Sequence, residues 1–128
     1  MYLFVCTGNT CRSPMAQALW EKRGHKAESA GLYALPGSSA SGGAIRAMES
    51  YGIDLRLHRA RPISEGAMQR ADKIVAMTSG HARALIEQFP EYKNKIICMP
   101  ISISDPFGGD EDDYLRCARD IEQALDML

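Results

Sequence analysis

Short apolar runs alternate with segments of helical period along this chain, and that alternation constrains the fold more than any other feature. Residues 2–5, 26–31, 72–77 and 95–99 read as strands, the third of them most clearly. Between them the apolar residues recur at helical spacing, as Met15, Ala18 and Leu19 do in the first intervening segment. Ser13-Pro14 opens that helix, with serine as the N-cap and proline in the first turn, and Gly24 ends it. Further helices are expected over residues 44–51, with Gly52 as the stop, over 63–71, and from the Thr78-Ser79 cap to 89. The last runs over 110–128, with an acidic first turn that complements the positive helix end. The Gly, Ser and Pro of 35–43 mark a loop, as do residues 104–109. Strands alternating with helices imply a parallel sheet covered on both faces. The expectation is an α/β fold: a single doubly wound domain spanning residues 1–128.

The remaining composition removes several functional classes. Fifteen Lys and Arg against sixteen Asp and Glu leave a formal charge of −1, so no global field points to nucleic acid or an anionic membrane. No apolar run is long enough to span a bilayer, and the apolar start breaks at Gly8-Asn9 without the leader pattern of a secretory signal. A cytoplasmic location is expected. Cys6, Cys11, Cys98 and Cys117 form no C-x-x-C pair, and His25, His58 and His81 are widely spread, so neither a zinc site nor another cofactor is expected. In a reducing compartment such thiols are reactive or buried, not disulfide-bonded. Cys98 and Cys117 read as small buried residues on a strand and a helix.

The chemistry concentrates in Val5-Cys6-Thr7-Gly8-Asn9-Thr10-Cys11-Arg12-Ser13-Pro14. A cysteine and an arginine enclose five residues between a strand and a helix, at the carboxyl end of the strand where doubly wound sheets bind ligands. Backbone N–H groups in such a turn form a nest for an anion, and the following helix adds its positive end. Gly8 permits positive φ, and Asn9 tolerates it better than most residues. These dipoles and Arg12 favour the thiolate of Cys6, the nucleophilic form. Arg12 has the planar fork to grip two phosphate oxygens, and Thr7 and Ser13 bring hydroxyls to the sulfur and the loop. The loop lacks the Gly-Lys-Ser/Thr ending of a nucleotide-binding Walker motif. An anion-binding turn without chemistry is the plain alternative.

Residues 6–14 resemble the signature C-x-G-N-x-C-R-S-P of the low-molecular-weight protein tyrosine phosphatases. The similarity continues through Ser29-Ala30-Gly31, His58-Arg59-Ala60-Arg61, Ala76-Met77-Thr78 and Asp105-Pro106-Phe107-Gly108, and so covers nearly the whole chain. The resemblance implies a four-stranded parallel sheet with flanking helices, Cys6 as nucleophile, Arg12 as phosphate ligand and Asp105 as general acid. It also implies substrate contacts from Thr7, Gly8, Asn9, Thr10, Cys11, Ser13 and Phe107, and a network of Asn9, Ser13, Ser39 and His58 behind the loop. Its chemistry needs no metal, and the partners it implies are phosphorylated proteins. The stretch between Met99 and Asp105 is short for the family. Chemistry also supports the acid, because a departing ester or amide group needs a proton that a loop carboxylate can supply. Cys11 stands near Cys6, either to trap an oxidised thiol or simply to pack.

Thr10 and Gly108 bear on substrate choice. Gly-Asn-Thr-Cys-Arg and Asp-Pro-Phe-Gly-Gly resemble the protein arginine phosphatase branch, where tyrosine-directed relatives carry an aliphatic residue and a second aromatic one. Thr10 sets a hydroxyl near the P–N bond of phosphoarginine, and Gly108 removes a wall that would stack on a phenyl ring. Phosphotyrosine is the alternative. Arsenate reductases of similar fold need two further cysteines close in sequence, whereas Cys98 and Cys117 are far apart. A phosphoprotein-binding module would have no use for Cys6, Arg12 and Asp105 together.

Overall fold

The computed structural model describes residues 1–128. Alternating strand residues divide its interior into two cores. From β1 (Tyr2–Cys6), Leu3 and Val5 face one side of the sheet, while Phe4 and Cys6 face the other. The sheet is wholly parallel and four-stranded, in the order β2-β1-β3-β4, with β2 at Ala27–Gly31, β3 at Lys73–Ala76 and β4 at Ile96–Cys98. The Phe4 side is covered by α1 (Arg12–Lys22), α2 (Gly42–Glu49) and α5 (Glu111–Leu125). The Leu3 side is covered by α3 (Glu65–Arg70) and α4 (Ser79–Gln88). This is the doubly wound α/β arrangement the alternation implied.

Capping residues set the helix limits. Ser41 accepts the N–H of Ala44, so α2 begins two residues before the expected start at 44. Ser64 accepts the N–H of Ala67, which confines the helix expected over 63–71 to Glu65–Arg70. Asp110 and Asp113 form a reciprocal capping box that fixes the start of α5. A 3-10 helix at Pro90–Lys95, absent from the sequence reading, leads into β4. Cys98 is exposed at the end of that strand, not buried as expected.

The start of α1 also differs from expectation. Cys11, not Ser13, occupies the N-cap position, and it makes no side-chain cap. Ser13 lies inside the first turn, fully buried, with its hydroxyl turned towards Cys6 and Asn9. The local capping preference of serine loses to these tertiary partners.

Candidate active site

The loop between β1 and α1 owes its shape to one left-handed residue and one missing side chain. Asn9 has φ 58 and Gly8 does not have positive φ, so the asparagine alone makes the left-handed turn. Across the sheet, a Cβ on Gly31 would stand 2.6 Å from the Thr7 carbonyl oxygen and 2.9 Å from the Asn9 nitrogen. Only glycine lets the loop lie against the end of β2. None of the N–H groups of residues 7–13 bonds to another protein group, which leaves them as donors for an anion.

Cys6, Thr7, Gly8, Thr10, Cys11, Arg12, Asp105 and Phe107 line one cavity of about 220 Å³. Cys6 is nearly inaccessible, and its Sγ lies 2.9 Å from Ser13 Oγ. Asn9 Nδ2 donates to Ser13 Oγ at 2.9 Å, which leaves the serine proton for the Cys6 sulfur at 2.9 Å or the more distant Ala30 carbonyl oxygen at 3.5 Å. The same amide donates to Ser29 Oγ at 2.9 Å, and Ser29 donates to Gln17 Oε1. Asn9 Oδ1 accepts the N–H of Arg61 at 3.0 Å, and His58 Nε2 lies 2.8 Å from the Asn9 carbonyl oxygen. The expected network therefore contains Asn9, Ser13 and His58. Ser39 is the exception: it pairs with Arg59 through a backbone bridge, and Ser29 with Gln17 fills the place assigned to it.

Arg12 is buried, donating through one terminal nitrogen to the Ile103 carbonyl oxygen at 3.0 Å, while the other lies 3.6 Å from Asp105 Oδ2. Asp105 is half exposed, and its other oxygen accepts the N–H of Phe107 at 3.0 Å. The next residues turn sharply, with Gly108 at φ 81. A Cβ on Gly109 would meet the Asp113 side chain at 2.4 Å. Gly108 thus serves the turn. Phe107 projects 75% exposed at the cavity's edge.

Three neighbours drew no functional reading from the sequence. Tyr114 lies with its hydroxyl 3.7 Å from Cys11 Sγ, and Cys11 donates to Ser41 Oγ at 3.2 Å. Burial pushes the Tyr114 hydroxyl up, and Cys117 beneath the site up to about 12. His81 is buried beside Thr7, with Nε2 2.9 Å from Thr7 Oγ1 and Nδ1 3.0 Å from Thr78 Oγ1. The spacing Thr78-x-x-His81 is the one signal that a histidine sits in the first turn of α4.

Burial is the largest influence on both His58 and His81 and lowers their affinity for protons. The hydrogen bond to Asn9 opposes it at His58, and Arg12 reinforces it at His81 more than Asp105 opposes it. In the unfolded chain both imidazoles protonate as pH falls through about 6.5, while the folded chain resists. The unfolded state then binds more protons, so stability rises with pH across this window. Urea midpoints should fall between about pH 7.5 and about pH 5.5. A flat profile would mean that neither ring is held neutral.

A parallel α/β sheet whose first strand ends in a thiol, under an arginine-closed nest of N–H donors, defines a cysteine-loop phosphate-binding protein. Comparison with known proteins places it further. Residues 2–128 match the model of the low molecular weight phosphotyrosine protein phosphatases, and the chain belongs to that family. It is 42% identical over 137 aligned positions to a protein-arginine-phosphatase of Geobacillus stearothermophilus, covering 98% of this chain and 91% of the relative. That alignment is longer than the chain itself, so the relative carries residues this chain lacks. The low molecular weight protein-tyrosine-phosphatase Wzb of Escherichia coli K12 is 36% identical over 138 positions, covering 96% and 93%. The YwlE arginine phosphatase, solved as a cysteine-to-serine mutant with a phosphorylated active-site serine, superposes with a TM-score of 0.91 at 36% identity, covering 97% and 90%.

Proposed function

We propose that this chain is a cysteine-dependent protein phosphatase that hydrolyses phosphoarginine through a phosphocysteine intermediate on Cys6. The observation that carries this reading is the shared cavity: Cys6, Arg12 and Asp105 line the same 220 Å³ space. The N–H groups of residues 7–13 and the Arg12 fork take the phosphoryl oxygens, and Cys6 sulfur attacks phosphorus. The Ser13 hydroxyl, 2.9 Å away, stabilises the thiolate before attack. As the P–N bond breaks, Asp105 gives its proton to the leaving nitrogen, and arginine departs as guanidinium. Asp105, now ionised, takes a proton from water, whose oxygen attacks the phosphocysteine. Inorganic phosphate leaves and the thiolate returns. Attack requires a reduced Cys6, a condition the reducing cytoplasm would maintain.

The likeness to arginine-directed relatives, Thr10 on the cavity wall and the Gly108-Gly109 turn support phosphoarginine as substrate. Phosphotyrosine is the second reading, favoured by the exposed Phe107 ring, on which a phenyl group can stack. Purified, reduced protein should show a higher kcat/KM for a phosphoarginine peptide than for the matched phosphotyrosine peptide. The reverse preference would assign the chain to tyrosine.

Thr10→Ile should lower phosphoarginine activity while sparing phosphotyrosine activity. Isoleucine keeps the β-branch but loses the hydroxyl. Loss of one hydrogen bond to a charged group is worth ~1.5–3 kcal/mol, roughly ten- to a hundred-fold in the ratio of the two kcat/KM values. An unchanged ratio would make Thr10 a bystander, and equal loss on both substrates would make it scaffold.

A further inference from the structure

We propose that His81 is a positioning residue for the reaction, joining the start of α4 to the phosphate loop and aiming the Thr7 hydroxyl proton into the phosphate cavity. The proposal rests on the phosphatase reading above and adds a residue that the mechanism so far leaves idle. His81 is 8% exposed, and both of its ring nitrogens are engaged: Nδ1 with Thr78 Oγ1 at 3.0 Å and Nε2 with Thr7 Oγ1 at 2.9 Å. Thr7 lines the cavity beside Cys6 and Arg12. The chain of contacts thus runs from a helix cap, through a buried ring, to the phosphate site.

Proton inventory gives this chain a direction. Thr78 Oγ1 caps α4 by accepting the backbone N–H of His81 at 3.2 Å. Its own proton has one protein acceptor within reach, His81 Nδ1. The neutral ring then carries its hydrogen on Nε2 and donates to Thr7 Oγ1. Thr7 has spent a lone pair, not its proton, so the hydroxyl remains a donor. In the opposite polarity the Thr78 proton would lack a protein acceptor, and Thr7 would give its proton to the ring. A hydroxyl facing a phosphoryl group is useful only as a donor, because phosphoryl oxygens accept.

The ring also limits where the hydroxyl can go. The Thr7 carbonyl oxygen is fixed by the N–H of Tyr33 at 2.9 Å, but its exposed side chain has no other hydrogen-bond partner. Without His81 the hydroxyl would be free to turn to water, and a donor that must be ordered at each turnover contributes less than one already in place.

Four variants test the proposal: His81→Leu, Thr7→Val, the double variant His81→Leu/Thr7→Val, and His81→Gln. Leucine keeps apolar volume and leaves the α4 cap intact, since the cap uses a backbone N–H. Glutamine returns an N–H donor near the position of Nε2. kcat/KM is measured with a phosphoarginine peptide and an aryl phosphate, and thermal unfolding reports folding. His81→Leu and Thr7→Val should each lose about tenfold on both substrates, and the double variant should lose no more than either alone. His81→Gln should recover to within about threefold of wild type. Full activity in His81→Leu, or losses that multiply in the double variant, would overturn the proposal while wild-type turnover leaves the phosphatase reading standing. If His81→Leu fails to fold, Thr7→Val and His81→Gln decide: an undiminished Thr7→Val, or a folded His81→Gln without recovery, refutes it. A wild type inactive on both substrates would instead sink the phosphatase reading, and this proposal with it.

Discussion

Cys6→Ser is expected to abolish turnover, lowering kcat by roughly 10⁴-fold or more, the scale of losing a nucleophile. The side chain is buried and the change is nearly isosteric, so the fold has no reason to respond. A serine hydroxyl can keep the contact with Ser13 Oγ, now 2.9 Å from sulfur. What it cannot do is ionise at neutral pH, whereas the proposed mechanism attacks with a thiolate. In the proposed mechanism the anion contacts come from the loop N–H groups and Arg12, which the substitution leaves in place. Affinity for inorganic phosphate, measured by calorimetry, should therefore stay close to wild type. Near-normal turnover in this variant would remove Cys6 from the mechanism.

Asp105→Asn should slow phosphorylation of Cys6 by ~10²–10⁴-fold for substrates with poor leaving groups. Asparagine can still accept the Phe107 N–H, so the loop keeps its turn. It carries no transferable proton, however, and it ends the ion pair with Arg12 at 3.6 Å. Aryl phosphates with acidic leaving groups need little protonation and should suffer less in single-turnover experiments. Equal slowing across leaving groups would place the general acid elsewhere.

The phosphate loop was legible in the sequence because its determinants are contiguous. A strand, a Cys-x5-Arg turn and a helix start within one short string leave few ways to fold. Details that depend on distant packing were not legible. Asn9 takes the left-handed turn alone, although glycine at position 8 looked the readier candidate. Gly31 stood out only as part of the Ser29-Ala30-Gly31 resemblance, and its reason, the phosphate loop lying against it, is visible only in the fold. The resemblance named Ser39 for the network and gave Ser29 no role, and only the sheet register puts Ser29 under Asn9. Ser13 abandons its capping preference because Cys6 and Asn9 offer better partners for a buried hydroxyl. His81 and Tyr114 reach the loop from α4 and α5, elements far along the chain that fold back onto the first. Asp105 lay between these extremes. Its Asp-Pro turn is common, and its meaning came from the loop it faces.

The most direct test of the covalent mechanism is a rapid-quench experiment on the reduced wild-type protein. A phosphoarginine substrate is mixed with enzyme, the reaction is stopped on the timescale of one turnover, and the peptides are read by mass spectrometry under conditions that preserve phosphothioesters. The mechanism predicts one phosphoryl group on the peptide carrying Cys6, appearing before free phosphate and decaying as phosphate is released. Steady release of phosphate with Cys6 unmodified at every time point, or a phosphoryl group on another residue, would contradict it.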